Sequence, residues 1–371
     1  MADVPDREAL DRLLGFLDCD PLNPSLLRDA AQAAFAAHEP GLTVDLLSRL
    51  EQADALAAAD RNLLAIALMQ GGDPVQAARI FEQLLTVAPG DAGLRFNLAW
   101  ARALAQDRAG AAGLLDETTT RALPQAAMLE VQLLHEAGAF DEALARARQH
   151  LSVHADYPPL LAAISVLAVD MEDEELARQC AERADGHPDA LAVLGTLALA
   201  EQAHETARPL FERALAANAG SPRGWIGLGL ADLAGGDHHA AAAALDKGAE
   251  LFGDHLGSWI AAGWAYLLGG NREKARGRFE HALRLDPNFA ESHGSLAVLN
   301  LLEGNRASAE RGLEVAFGLD RQCFSAAFAK LLIAAGDGDQ QAVQRIMDMA
   351  LGQVLDEQGR TIGDALRRMA R

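Results

Sequence analysis

Metal binding and proton transfer need clusters of histidine, aspartate, glutamate or cysteine, and this 371-residue chain offers few. Asp237-His238-His239 sets two imidazoles beside a carboxylate. A stable zinc site needs three or four converging ligands, and none follows at a matching interval. His150 and His154 stand four apart on one helix face, but no glutamate sits where an HExxH site requires it. They read as an exposed helix end. Gly336-Asp337-Gly338-Asp339 has the start of a calcium loop without the later acidic ligands. Cys19, Cys180 and Cys323 are far apart and odd in number, so they form neither a metal spacing nor a disulfide framework. No phosphate-cradling glycine loop, serine elbow or Cys/His pair is present. The expectation is a protein that is not an enzyme and uses no metal and no cofactor.

What would position any functional group is a repeat. A small residue recurs at Ala77, Ala111, Ala143, Ala177, Ala207, Ala241, Ala275 and Ala309, with Thr43 and Val343 continuing the series outward. The steps are 34, 34, 32, 34, 30, 34, 34, 34 and 34 residues. Such a period marks stacked copies of one short unit, growing in one dimension. Half the residues are apolar but only 5% are aromatic. Alanine, the best helix former, supplies much of the apolar share.

The clearest unit is Ser258–Pro287. Its first half has helical apolar spacing and stops at Gly269-Gly270, which suits a left-handed helix end. Its second half carries Ala275, Phe279 and Ala282 on one face and stops at Asp286-Pro287, because proline cannot continue a helix. The unit is a helix–turn–helix hairpin. Trp259, Gly263, Tyr266, Ala275, Phe279, Ala282 and Pro287, with Ala262 in the Leu slot, closely resemble the tetratricopeptide repeat (TPR). Trp225, Leu228-Gly229, Ala241 and Leu245 continue the resemblance one unit earlier, and Leu194-Gly195, Ala207, Phe211 and Ala214 two units earlier. Ala77, Phe81, Pro89, Leu98 and Ala111 carry it near the N-terminus. The resemblance implies an all-α fold, a right-handed α-solenoid of TPR-like hairpins with terminal cap helices.

The expected organisation is an acidic segment with a cap helix over 1–23, about ten repeats over 24–354, and a C-terminal cap helix over 355–371. Leu10, Leu13, Leu14 and Leu17 form the stripe of the first cap. Thr361–Met369 forms the second, with Thr361 as N-cap. Two units depart from the pattern: Ala147 and Ala181 stand in the Phe slots of the fourth and fifth.

Thirty-two basic residues against 53 acidic ones leave a net charge of −21, and residues 1–60 alone carry twelve acids against four arginines. Nucleic acid binding requires phosphate neutralisation by Lys and Arg, so nucleic acid is excluded as an expected partner, and anionic membrane with it. No apolar run is long enough to span a bilayer, and the acidic start lacks a signal peptide. The expectation is a cytoplasmic protein, or a periplasmic one if a signal was removed. Three lysines beside abundant Arg and Ala suggest a bacterial gene.

In the TPR family the first helix of each unit lines the inner groove. The equivalent slots here are mostly apolar, and the Lys pattern of the family's carboxylate clamps is missing. The expected partner-binding residues are Ile66, Phe96, Asn97, Trp100, Gln132, Ile226, Leu230, Ile260, Trp264, Val298 and Leu301. Phe96/Trp100 and Ile260/Trp264 serve as anchors, since aromatics dominate binding hot spots. The expected function is a protein–protein interaction scaffold or adaptor. It docks a peptide or amphipathic segment of a client that is apolar and neutral to basic. Alternatives are a receptor for a small apolar ligand or signal peptide, and an accessory subunit of a secretion, envelope-assembly or glycosylation system. Homo-oligomerisation through exposed apolar surface is a further expectation.

Overall fold

A computed structural model describes residues 4–53 and 56–351, and every regular element among them is an α-helix. The chain divides into two compact bodies, Met1–Asp173 and Glu174–Arg371. The first body holds α1 (Val4–Cys19), α2 (Pro24–Ala36), α3 (Pro40–Gln52), α4 (Ala58–Gln70), α5 (Pro74–Val87), α6 (Ala92–Leu104), α7 (Arg108–Ala112), α8 (Glu117–Ala122), α9 (Pro124–Glu136), α10 (Phe140–Leu151) and α11 (Pro158–Asp170). The second holds α12 (Glu174–Arg183), α13 (Pro188–Ala200), α14 (His204–Ala217), α15 (Pro222–Ala234), α16 (His238–Phe252), α17 (Leu256–Leu268), α18 (Arg272–Leu285), α19 (Ala290–Leu302), α20 (Arg306–Leu319), α21 (Phe324–Gly336) and α22 (Gln340–Leu351). The C-terminal cap expected over 355–371 lies outside the described residues.

The periodicity is visible in the first helices of the hairpins. They begin at 24, 58, 92, 124, 158, 188, 222, 256, 290 and 324, and each is thirteen residues long. Their starts reproduce the step series of the small residues. Proline occupies the first turn of five of them, where its missing N–H costs no hydrogen bond.

Every hairpin turn places one residue in the left-handed region. Gly72, Gly138, Gly236, Gly270, Gly304 and Gly338 do so with φ between 72° and 88°. His38, Gln106, Glu172 and Gln202 hold the same place in the other four turns, with φ of 58° to 66°. The tight turn is therefore imposed by the hairpin even where a side chain makes it unfavourable. The following residue often caps the second helix: Asp73, Asp107, Asp237, Asn271 and Asp339 each accept a backbone N–H three residues on.

Hairpins interlock by pairing a small residue on the first helix with a large one on the second. The Phe279 ring lies against Gly263, where even a Cβ would collide with it. Phe211 seats on both Gly195 and Gly227; a Cβ at Gly195 would stand 2.7 Å from its Cζ. Phe81, Phe211 and Phe279 are fully buried, as are Ala77, Ala207 and Ala275. In the fourth hairpin the sizes are exchanged: Val131 is large, Ala147 is small, and both have zero exposure. The departure from the pattern is thus a compensated swap.

At the N-terminus α1 lays Leu10 and Leu17 into the core of the first hairpins, with Leu13 and Leu14 half-buried beside them. Two sequence expectations need correction. The second helix of the third hairpin is broken into α7 and α8, because Gly113 ends one and Asp116 caps the other through the Thr119 N–H and hydroxyl. That cap holds the Asp116 carboxyl below its ordinary range, led by the bond from the Thr119 backbone. His150 is not an exposed helix end: it is 3% exposed and bonds Glu130, which also takes two bonds from Arg146 Nε. His154 reaches the Thr120 carbonyl at 2.8 Å.

Candidate partner-docking strip

Within each body, positions five, nine and twelve of the thirteen-residue first helices are equivalent along the repeat. In the first body these positions include Ile66, Phe96, Trp100 and Gln132. Phe96 and Trp100 meet edge to face, with ring centroids 5.5 Å apart. Trp100 is 36% exposed. It walls a cleft of about 290 Å³ together with Ala103, Leu104, Leu129, Gln132 and Leu133. Gln106, Arg108 and Glu136 complete the rim, where Arg108 Nε donates to Glu136 at 2.9 Å. Leu104, Leu129 and Leu133 were not singled out from the sequence. Position thirteen of one first helix and positions six and ten of the next supply them, a signal that appears only when adjacent helices are laid side by side.

Asn97, one residue along, points elsewhere. It lines a separate cleft of about 580 Å³ with Asn62, Leu84, Val87 and Leu94. Ile66 is half-buried against the core of the N-terminal hairpins. The anchors are therefore not one site: Phe96, Trp100 and Gln132 cluster, while Asn97 and Ile66 stand apart.

In the second body the strip is more enclosed. Ile260 is 8% exposed and Val298 1%. Both are core positions in the free chain, so the expectation that they present surface to a client gives way. Ile226 is half-buried against Gly248. Leu230 remains 39% exposed. Trp264 is half-buried and fully engaged: its indole N–H donates to Ser295 Oγ at 3.1 Å, and the rings of Phe279 and Phe328 lie 6.0 Å away. Ser295 in turn donates to Ser325 at 3.1 Å, and Ser325 to Glu291, which also accepts the N–H groups of Phe324 and Ser325 at the start of α21. Leu301 packs with Trp264 in the same cluster.

The groups weighed for catalysis are occupied by structure. Asp237 caps α16, and Asp337 pairs with Arg306, which lowers its carboxyl below the ordinary range. Burial pushes the Cys323 thiol up to about 12, away from a reactive thiolate. Among the described residues no three His, Cys, Asp or Glu side chains gather in a metal-binding arrangement, and no helix is long and apolar enough to cross a membrane.

No family model matches the chain, and no curated protein matches it. Solved structures do. A monomeric IFIT1 mutant with Gppp-AAAA aligns at a TM-score of 0.55 and 11% identity, covering 94% of this chain and 92% of that one. The human IFIT1 dimer with PPP-AAAA aligns at 0.53 and 11%, covering 95% of each. The APC/C hetero-tetramer Cut9-Hcn1 aligns at 0.48 and 14%, covering 94% of this chain and 85% of that one. For the two IFIT1 structures the likeness, at 11% identity, is one of fold: helical hairpins in tandem along nearly the whole chain, a TPR-like solenoid.

Proposed function

We propose that this chain is a non-enzymatic adaptor that docks an apolar or amphipathic segment of a client protein against the exposed strip of its first helices, with Phe96, Trp100 and Gln132 at the centre. The observation that carries the reading is Trp100: a large aromatic, 36% exposed, walling a cleft of mixed character in which Leu104, Leu129 and Leu133 stand beside the Gln132 amide and the Arg108–Glu136 pair. A rigid aromatic next to a hydrogen-bonding group is what peptide hot spots use. In the second body Leu230 is a separate exposed apolar side chain.

The client is neutral to basic protein rather than nucleic acid. Arginines near the Trp100 hairpin are held by carboxylates, Arg95 by Asp116, Arg102 by Glu82 and Arg108 by Glu136. They offer little for phosphate neutralisation in a chain of charge −21. The test is a phage-displayed peptide library selected on the wild type and counter-screened on Trp100→Ala, beside a single-stranded RNA of mixed sequence. Expected are peptides with apolar residues at i, i+3/i+4 and i+7, at least tenfold weaker on the variant, and no RNA retained at 150 mM salt. Peptides indifferent to Trp100→Ala, or RNA retained in preference to them, would overturn the reading.

A further inference from the structure

An ion pair stands on the rim of the Trp100 cleft. Arg108 and Glu136 have side chains 53% exposed, and they meet through one bond, Arg108 Nε to Glu136 at 2.9 Å. Among the described residues the terminal nitrogens of Arg108 and the second oxygen of Glu136 have no partner. Arginines elsewhere in the chain grip more fully: Arg278 holds Asp246, and Arg306 holds Asp337, through two nitrogens each. A half-exposed pair joined by one bond contributes little stability. The stronger two-pronged match of guanidinium to carboxylate is left unused at Glu136.

The pair lies between apolar surface and surplus negative charge. Leu133, three residues before Glu136, lines the cleft, as does Leu104, which is 47% exposed. After Glu136 the chain turns into α10, whose first turn carries Asp141 and Glu142. Both are exposed, and neither pairs with a cation among the described residues. Cleft lining and turn together hold three carboxylates and one arginine. What they lack is a cation, and a cation on an apolar stem suits them best. An arginine lays its methylenes along leucine while its planar fork meets a carboxylate.

We infer that the Trp100 cleft selects client segments that set an arginine beside their apolar anchor, and that Arg108 is the chain's own stand-in for it. The inference rests on the adaptor reading of the cleft. In the free protein Arg108 holds Glu136 by one bond. A client arginine takes both oxygens of Glu136, and Arg108 turns out to solvent. Glu136 sets the preference for arginine, and Arg108 competes with the client for it.

The peptides selected on the wild type and lost on Trp100→Ala supply the probe. One of them is made with its arginine and with citrulline, the neutral isostere. Both forms are titrated against wild type, Glu136→Gln and Arg108→Ala at 150 mM salt. Most Trp100-dependent peptides should carry an arginine within four residues of the apolar anchor. The arginine form should bind the wild type at least fivefold tighter than the citrulline form. That ratio should fall close to one on Glu136→Gln and rise at least threefold on Arg108→Ala. Trp100-dependent peptides without arginine, a ratio of one on the wild type, or a ratio unchanged in Glu136→Gln would overturn the inference and leave the adaptor reading standing. A ratio on Arg108→Ala no higher than on the wild type would overturn it too, since Arg108 would then compete for nothing. Peptides indifferent to Trp100→Ala would sink the adaptor reading and this inference with it.

Discussion

Trp100 and Trp264 stand at the same place, the ninth residue of a first helix, yet one is open and the other enclosed. Three matching neighbours account for the difference. The second-helix side chain beside Trp264 is Phe279, and its counterpart after Trp100 is Leu115. The hydroxyl that takes the Trp264 N–H belongs to Ser295, whose counterpart, Leu129, has no acceptor. Phe328, two hairpins on, lies against Trp264, where its counterpart is Ala162. A tryptophan at a given repeat position is thus core or surface according to residues one and two periods away. The repeat fixes where a side chain points, and the neighbours fix whether anything covers it.

The largest effect expected is at the seat of Phe279. Gly263→Val drives a branched side chain into that ring and should cost about 3 kcal/mol in urea unfolding. At the matching place in the open hairpin, Ala99→Gly should cost only about 1 kcal/mol, chiefly helix propensity. Equal costs would mean that Phe279 is not wedged against the first helix. Next in size is the tryptophan pair itself. Trp264→Ala should lose about 2–4 kcal/mol, since it empties a packed cluster and removes the N–H bond that Ser295 accepts. Trp100→Ala should lose less than about 1 kcal/mol, and the reverse order would undo the comparison.

Smaller and opposite in sign is the turn that borders the Trp100 cleft. Gln106→Gly relieves a left-handed conformation and should raise stability by about 0.5–1 kcal/mol. Gly270→Gln, at the matching turn of the enclosed hairpin, should lower it by a similar amount. Smallest is a local pH effect. The Asp116 carboxyl is held below the usual carboxylate range by the Thr119 bonds, so its contribution to capping α8 is present above that range and lost as the pH falls through the depressed one. Amide exchange in 117–122 should rise on acidification below about pH 4 before that of α17 does, and a simultaneous rise would remove Asp116 as the cause.

Much of this was legible in the sequence, for physical reasons. Ala77 through Ala309 mark close helix crossings, and a crossing tolerates no bulk, so the period survives as a letter pattern. Gly263 and Phe279 are legible together for the same reason. His38, Gln106, Glu172 and Gln202 hid their turns because nothing local demands a left-handed residue; the hairpin on both sides does. Gly113 and Asp116 did announce a helix break, but the strong period around Ala111 masked it. His150 looked like surface because its partner, Glu130, lies twenty residues away on another helix. The site was the least legible part. Ile260 and Val298 share the slot pattern of Phe96 and Trp100, and only the packed neighbours distinguish a covered slot from an open one.

The most direct test is acrylamide quenching of two otherwise matched proteins, each with Trp225 and Trp259 replaced by Phe and keeping either Trp100 or Trp264. Expected is efficient quenching and red-shifted emission for Trp100, with weak quenching and blue-shifted emission for Trp264. Ala162→Phe should shield the first and Phe328→Ala should expose the second. A shielded Trp100, or a Trp264 quenched as readily, would contradict the claim that the chain holds one tryptophan open for a client and the other closed in its own core.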